Sequence, residues 1–279
     1  MSSIAIILIT LAAAVVNGAL GYGFSSITVP IALLFLSNRV LNPALVPIEV
    51  ALNAYVLWVN RRALPLVVRR VMPVAIGLVP GVIVGTVIVA RVSPAWLKLS
   101  TYIVLLPLIL LQAMGYRRPV AAEATAGAAF GSGVGLLYAV TTISGPPLAL
   151  ALNNQGFSKQ EFRAALGFIR LAESSLTAMA YVAAGLFSRA SVALIPQILP
   201  SVAVGVPVGA FVIRHVKAET FRRLCMSFDA WVVGFGISTL LRDMRIADTA
   251  AAFSVLAAVI VIDAWLLYRY FFRPVSRPA

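Results

Sequence analysis

The sequence predicts an all-α fold: a polytopic transmembrane helical bundle of two inverted repeats, each starting with a broken or re-entrant helical segment. Three observations predict it. The 279-residue chain is 61% hydrophobic and only 11% charged, whereas soluble domains carry about 25% charged residues. Long apolar spans alternate with short loops that hold most of the basic residues. Glycine-rich breaks interrupt one long uncharged stretch in each half of the chain.

The first repeat is assigned to residues 1–118 and begins with an uncharged stretch from Ile4 to Leu36. A bilayer core is crossed by about 20 helical residues, so this stretch is too long for one upright helix and too short for two. The sequence NGALGYGFSS, residues 17–26, interrupts it. The N-terminus has no basic region and the apolar run exceeds a signal peptide, so we expect it in the mature protein. Three spans follow, at 44–60, 71–90 and 98–114.

The second repeat is assigned to residues 119–245 and begins with a similar uncharged stretch from Ala124 to Ser158. The sequence GSGVG interrupts it at residues 131–135, and TTISGPP follows at residues 141–147. Three spans come next, at 163–187, 190–213 and 222–241. Residues 246–279 add one further helix, at 249–268, and a basic tail.

Loop charges predict the orientation in the membrane. The loop at 61–70 holds four arginines and the loop at 91–98 only two basic residues, which places the former in the cytoplasm. In the second half the loop at 214–223 holds four basic residues and the connection around Arg189 only one. We therefore expect 214–223 and the C-terminus to be cytoplasmic. The net charge of +13 reflects this bias, and we expect no nucleic-acid partner.

The parity of crossings predicts that the second broken segment is re-entrant. Arg118 and Arg214 are both assigned to the cytoplasm, so an even number of crossings must separate them. The broken segment plus two spans would make three. If the segment enters and leaves on one side, its break lies deep in the protein, where irregular backbone needs partners from protein or a water-filled cavity.

An internal alignment supports the duplication. Gly81–Val92 aligns with Gly205–Val216 at an offset of 124, and residues 18–33 align with residues 135–150 at an offset of 117. Equivalent loops carry opposite charge bias, so the repeats are expected to be inverted across the membrane. Paired, glycine- or proline-interrupted segments in two such halves are a sequence indication of a transporter's binding site.

These breaks, the Gly-xxx-Gly pairs at 81/85 and 205/209 and the two halves of about 120 residues resemble the TauE/SafE family of sulfite exporters and related anion permeases. The resemblance covers nearly the whole chain. It implies transport of a small anion, such as sulfite, a sulfonate or another sulfur-containing or organic acid. The first break departs from the family in carrying Tyr22 among fewer adjacent glycines.

The breaks are the predicted substrate site. If each segment folds back in mid-membrane, the N-terminus of its second half-helix presents free N–H groups and a partial positive charge of about half a unit. Such an end binds anions without a cationic side chain. The alternative is that these small residues only let helices pack closely, which we favour for Gly81/Gly85 and Gly205/Gly209. The predicted contacts are Asn17, Gly21, Gly23, Ser25, Ser26, Thr28, Thr141, Thr142, Ser144 and Gly145.

Charged residues inside the spans are candidates because a charge at that depth is costly and usually functional. Arg170 either complements the substrate's charge or pairs with Glu173 on the same helix face. At the 117-residue offset Arg170 falls opposite Asn53, a neutral donor that we include in the site. Glu49 and Glu173 are candidates for proton or ion coupling. Asp229 and Asp263 either carry protons or pair with nearby basic residues.

The predicted function is secondary transport of a small anion by alternating access in the plasma (inner) membrane, with a proton as the candidate coupling ion. The alternatives are a structural membrane subunit and an intramembrane hydrolase using Ser144, for which His215 would have to leave its predicted loop. Cys225 is alone, so we expect no cysteine metal site, and no cofactor is expected. The bilayer and the anion are the expected partners, and a homo-oligomer stays open.

Overall fold

The computed structural model describes residues 3–114, 124–153, 157–216 and 218–272, and these residues form helices and short connections without a strand. The predicted cytoplasmic Arg117, Arg118 and Lys217, and the basic tail from residue 273 onward, lie outside the described residues. The all-α prediction is therefore confirmed for the part of the chain that carries the spans.

Eleven α-helices follow one another in the described ranges. Those of the first half are α1 (Ser3–Leu20), α2 (Phe24–Ala32), α3 (Asn38–Val59), α4 (Leu64–Arg91), which a 3₁₀ turn at Arg61–Ala63 precedes, and α5 (Pro94–Met114). Those of the second half are α6 (Ala124–Thr141), α7 (Gly145–Asn153), α8 (Lys159–Ala183), α9 (Arg189–Val212) and α10 (Ala218–Asp243), and α11 (Thr249–Phe272) ends the bundle. All seven predicted spans are helices, and the first predicted break falls between α1 and α2. The second break lies at residues 142–144, so the interruption predicted at residues 131–135 is wrong: these residues are continuous helix within α6, where Gly131 and Gly135 pack on α4.

The bundle is an integral, multi-pass membrane protein. Six helices of the described chain, namely α3, α4, α5, α9, α10 and α11, are long and apolar enough to cross a bilayer. Large apolar side chains cover their outer faces, for example Ile76, Val204 and Val261, which are 64%, 57% and 69% exposed. Such contiguous apolar surface is what lipid contact requires. Helix α8 has sufficient length, but its charged residues make it more polar than these six.

The two halves repeat one order of elements. Helices α6, α7 and α8 begin 121 residues after α1, α2 and α3: Ala124 after Ser3, Gly145 after Phe24, and Lys159 after Asn38. The predicted 117-residue offset for the breaks is therefore wrong by four residues. Helices of one half pack on helices of the other half: α1 packs on α9, α6 on α4, α3 on α8 and α5 on α10. The inverted orientation of the halves across the membrane stays a prediction.

Glycines allow two helix pairs, α4 with α6 and α1 with α9, to pack with their backbones in contact. A Cβ on Gly81 of α4 would lie 2.0 Å from the carbonyl oxygen of Ser132 on α6, and one on Gly209 of α9 would lie 1.9 Å from that of Val15 on α1. Real atoms cannot approach so closely, so the backbones touch only because side chains are missing there. The packing role predicted for Gly81/Gly85 and Gly205/Gly209 is confirmed, and Gly131 of α6 packs on α4 in the same way.

The second broken segment turns back at its break. A Cβ on Gly127, near the start of α6, would contact Pro73 in the first part of α4. Val140, near the end of α6, packs with Val89 near the end of α4. After α7 the chain returns to the start of α4, where the Arg70 guanidinium lies 5.4 Å from the centre of the Phe157 ring. Both ends of the segment thus lie at one end of α4, as a hairpin requires.

Helix α11 is fixed to α10 by a buried carboxylate. Asp263 of α11 accepts hydrogen bonds from Ser227 Oγ at 2.8 Å and from Trp231 Nε1 at 3.0 Å. Of the two alternatives for Asp263, a local pairing is the one observed, although with neutral donors rather than basic residues. Asp229 on α10 is fully buried, and neither of its oxygens has a partner among the described residues.

Candidate functional site

Each break ends a helix with backbone that only certain residues adopt readily. Gly21 and Gly23 have φ angles of 81° and 110°, in the left-handed region where glycine has no Cβ to clash, and Gly23 is the N-cap of α2. Thr142 has a φ of 57° in the second break, which is uncommon for a β-branched residue and therefore costly. The hydroxyl of Thr141 closes that break by accepting from the N–H of Ile143 at 3.0 Å.

The two breaks lie against each other. A Cβ on Gly145, the first residue of α7, would lie 3.2 Å from the ring of Tyr22 in the first break. The start of α7 therefore lies beside the residue that precedes Gly23, the cap of α2. Two helix N-termini, each with partial positive charge, point into one buried region. Because Pro146 and Pro147 have no N–H, Gly145 is the one residue of the first three of α7 that offers a backbone donor.

A buried ion pair fills that region. Arg170 of α8 donates from Nη2 to Oε1 of Glu49 on α3 at 3.0 Å, and both side chains are almost completely buried, at 4% and 0% exposure. The same Glu49 oxygen accepts from Ser25 Oγ of α2 at 2.5 Å, and its Oε2 accepts from the Tyr138 hydroxyl of α6 at 2.8 Å. Glu49 is thus a carboxylate satisfied by three donors from three helices.

A second carboxylate lies on the other side of the arginine. Glu173 Oε1 is 3.9 Å from Arg170 Nε, an ion pair but not a hydrogen bond, and it accepts a hydrogen bond from Ser144 Oγ at the start of α7. Glu173 Oε2 and Arg170 Nε have no hydrogen-bond partner among the described residues. A continuous chain of contacts therefore links Ser25 at one helix start, through the three charged groups, to Ser144 at the other.

Several other predicted residues lie near this network but are not part of it. Asn53 donates to the backbone oxygen of Arg170 at 3.3 Å. Ser26 and Thr28 are buried on α2, and no partner of the Thr28 hydroxyl is found in the described ranges. The hydroxyls of Thr141 and Thr142 donate to backbone oxygens of Leu137 and of Thr141 itself. The two threonines are thus committed to the geometry of the break in this structure.

A cavity of about 540 Å³ leads to the first break between α1, α3 and α9. Asn17 and Gly21 line it, and Asn60 and Arg163 contribute further polar groups. A Cβ on Gly21 would lie 3.9 Å from Arg163 Nε. The rest of the lining is mainly aliphatic, from residues such as Ile48, Leu52 and Val206. The predicted residues Asn17 and Gly21 therefore face open space rather than the buried network.

Sequence reasoning missed Tyr138, Tyr22 and Arg163. At the observed 121-residue offset Tyr138 is equivalent to Asn17, so the correct register would have singled it out as a polar residue before a break. Arg163 lies near the start of α8, and its charge alone does not distinguish it from the other basic residues near helix ends. Nothing in the sequence indicates that Tyr22 would contact the other break.

The described residues do not form the serine–histidine pair of the hydrolase alternative or a cluster of metal ligands. Ser144 is fully buried beside Glu173, whereas His215 is exposed at the end of α9, where its Nδ1 lies 3.2 Å from the oxygen of Phe211. Within the described ranges no three histidine, cysteine or acidic residues cluster as metal ligands would.

These features define a multi-pass helical membrane protein with a buried charged site between two paired, interrupted helices, the construction found in secondary transporters. The chain belongs to the sulfite exporter TauE/SafE family, whose model matches residues 6–235. The match ends within α10, so α11 lies beyond it. The family is one of membrane transporters, as the resemblance in the sequence implied. Comparisons with curated proteins and with solved structures gave no match.

Proposed function

We propose that the protein is a secondary transporter that moves a small anion, such as sulfite, a sulfonate or another small sulfur-containing or organic acid, by alternating access. One observation supports this most strongly: Arg170 lies between the starts of α2 and α7, with the Ser25 and Ser144 hydroxyls on either side. A cation, two hydroxyl donors and two helix N-termini are the groups that bind a compact anion.

The substrate binds by displacing a carboxylate. In the present structure Glu49 accepts from Arg170 Nη2, and Glu173 lies 3.9 Å from Arg170 Nε, so a carboxylate stands beside each of these nitrogens. An incoming oxyanion replaces one carboxylate and accepts from Arg170 and a serine together. Because the site is buried from water, these charge-assisted hydrogen bonds are stronger there than in solution.

The cavity beside Asn17 and Gly21 supports access from one side in this conformation. By the predicted topology it opens to the cytoplasm, because Asn60 adjoins the loop with four arginines. The ring of Tyr22, which lies against Gly145, fills the space between the first break and the start of α7. Rocking one half against the other would close the cavity and open a corresponding path beside the second break.

The test is flux through the purified protein in liposomes. Vesicles loaded with unlabelled sulfite, methanesulfonate or ethanesulfonate should take up the same labelled anion by counterflow, while protein-free vesicles should not. A neutral analogue, dimethyl sulfone, is the control for leak and should not be exchanged. Absence of counterflow with all three anions, in protein that remains folded and monodisperse, would contradict the proposal and favour a structural subunit.

A further inference from the structure

The buried network holds more acids than bases. Arg170 contributes one positive charge and Glu49 and Glu173 two negative charges when ionised, so the cluster would carry a net charge of −1. All three side chains are at most 4% exposed. An uncompensated buried charge is costly, and it also repels the anion that the site would bind. One carboxyl of the pair must therefore be neutral when an anion enters.

The hydrogen bonds distinguish the two carboxyls. Glu49 accepts from Arg170, Ser25 and Tyr138, which are three donors aimed at its charged form. Glu173 accepts from Ser144 alone, is 3.9 Å from the arginine, and has one oxygen without a partner in the described structure. Hydrogen bonds to a carboxylate favour its charged form, so the proton belongs on Glu173.

In the described part of the chain, few ionisable groups are placed to share this proton. The ones that face Glu173 are Arg170 on its own helix, Glu49 on α3 and Tyr138 on α6. The packed helix α7 has no ionisable side chain, and α4 has arginines only at positions 69, 70 and 91, toward its ends. Ser144 joins Glu173 directly to the start of α7, where the anion would bind.

We propose that Glu173 binds the proton that is co-transported with the anion, so that each monovalent anion crosses together with one proton. The inference rests on the proposed function and adds its coupling ion. With Glu173 protonated, Arg170 and Glu49 are mutually neutralised, and the anion can take the place of Glu173 at Arg170. After release of the anion, Glu173 loses its proton and returns to the arginine. The movement of one anion with one proton transfers no net charge.

The experiment uses labelled methanesulfonate, which keeps a charge of −1 across the neutral range, so that pH acts on the protein and not on the probe. In wild-type vesicles a gradient of about one pH unit should drive about tenfold accumulation for one coupled proton. This accumulation should not respond to a membrane potential set by potassium and valinomycin, because the process is electroneutral.

Glu173→Gln keeps the shape of the side chain but fixes it in the neutral form. We expect methanesulfonate counterflow by this variant to become independent of pH, accumulation driven by the pH gradient to be lost, and transport to become sensitive to the membrane potential. Asp243→Asn, which removes an exposed carboxylate at the end of α10, is the matched control and should behave as wild type.

The outcomes separate the two proposals. Counterflow without pH-driven accumulation in the wild type, or undiminished pH-driven accumulation in Glu173→Gln, overturns the proton site while leaving anion transport in place. Absence of methanesulfonate counterflow in the wild type overturns both. If Glu173→Gln does not fold, Ser144→Ala serves instead: the ionised Glu173 loses a hydrogen bond, so the pH of half-maximal counterflow should rise. An unchanged pH profile would contradict the proposal.

Discussion

Arg170 donates to Glu49 at 3.0 Å, and the two residues occupy equivalent positions, each eleven residues after the first residue of its helix, α8 or α3. The duplicated helices thus meet at the same register but with opposite charges. The repeat places the two residues at equivalent positions, and the difference between the copies, Glu49 in one and Arg170 in the other, allows them to form an ion pair. Under the proposed function, we expect an anion to enter this site on the side of the arginine, beside α7, where the bonding to Glu173 is weaker.

Replacing Arg170 should abolish anion counterflow. Arg170→Ala removes the only cation of the buried network and leaves two carboxyls facing each other. Breaking a buried pair in this way costs about 3–5 kcal/mol of stability, so thermal unfolding in detergent must be followed alongside flux. A double variant, Arg170→Gln with Glu49→Gln, removes the pair as a unit and should unfold at a higher temperature than Arg170→Ala, yet remain inactive. Wild-type flux and affinity in Arg170→Ala would remove Arg170 from the site.

Two glycines of α6 offer a matched test of helix packing. A Cβ on Gly131 would lie 2.1 Å from the backbone oxygen of Val74, whereas one on Gly133 would meet nothing within 4 Å. Gly131→Ala should therefore force α4 and α6 apart and lower stability by about 1–3 kcal/mol. Gly133→Ala should be neutral or stabilising, because alanine favours a helix. Equal unfolding temperatures for both variants would show that the close approach contributes nothing.

Loss of the carboxylate on α11 should loosen this helix without stopping transport. Asp263→Ala leaves Ser227 and Trp231 without their acceptor, and each unsatisfied buried group costs about 1–3 kcal/mol. We expect a lower unfolding temperature and a change in the fluorescence of the tryptophan, with anion counterflow retained in the folded fraction. Loss of counterflow at full stability would instead place Asp263 in the transport mechanism.

Cysteine labelling checks the orientation. In a background where Cys225 is replaced by serine, Leu64→Cys should react with a membrane-impermeant maleimide only from the cytoplasmic side. Pro94→Cys should react only from outside. These positions lie at the first residues of α4 and α5, close to the loops whose charges predict the topology. The reverse pattern would invert the assigned orientation and also the direction in which the cavity opens.

Much of the architecture could be predicted from local pattern. Apolar length predicted the spans, and glycine at Gly81/Gly85 and Gly205/Gly209 predicted close helix contact, because both effects depend on residues near one another in the chain. Arg170 and Glu173 were expected to share a face since three residues is close to one helical turn. The structure shows this pair at 3.9 Å, longer than the pair with Glu49.

The partner of Arg170 across the repeat could not be predicted because the internal alignment was one helical turn out of register. A shift from 121 to 117 residues moves a residue by about one turn along the same face, so small and apolar residues match almost as well at either offset. Charged residues are too few in the breaks to fix the register. The shift exchanged Glu49 for Asn53, which contacts only the backbone of Arg170.

The exchange of helices between the halves has a consequence for biogenesis. The close-packing face of α4, including Gly77 and Gly81, is complementary to α6, which the ribosome makes later. Until α6 has been inserted, this glycine surface contacts lipid. In the same way, Gly18 of α1 can pack on the backbone of Val206 only after α9 has been inserted. A nascent chain that stops after α5 therefore lacks the partners of its own first and fourth helices. The molecule can complete its packing only near the end of synthesis.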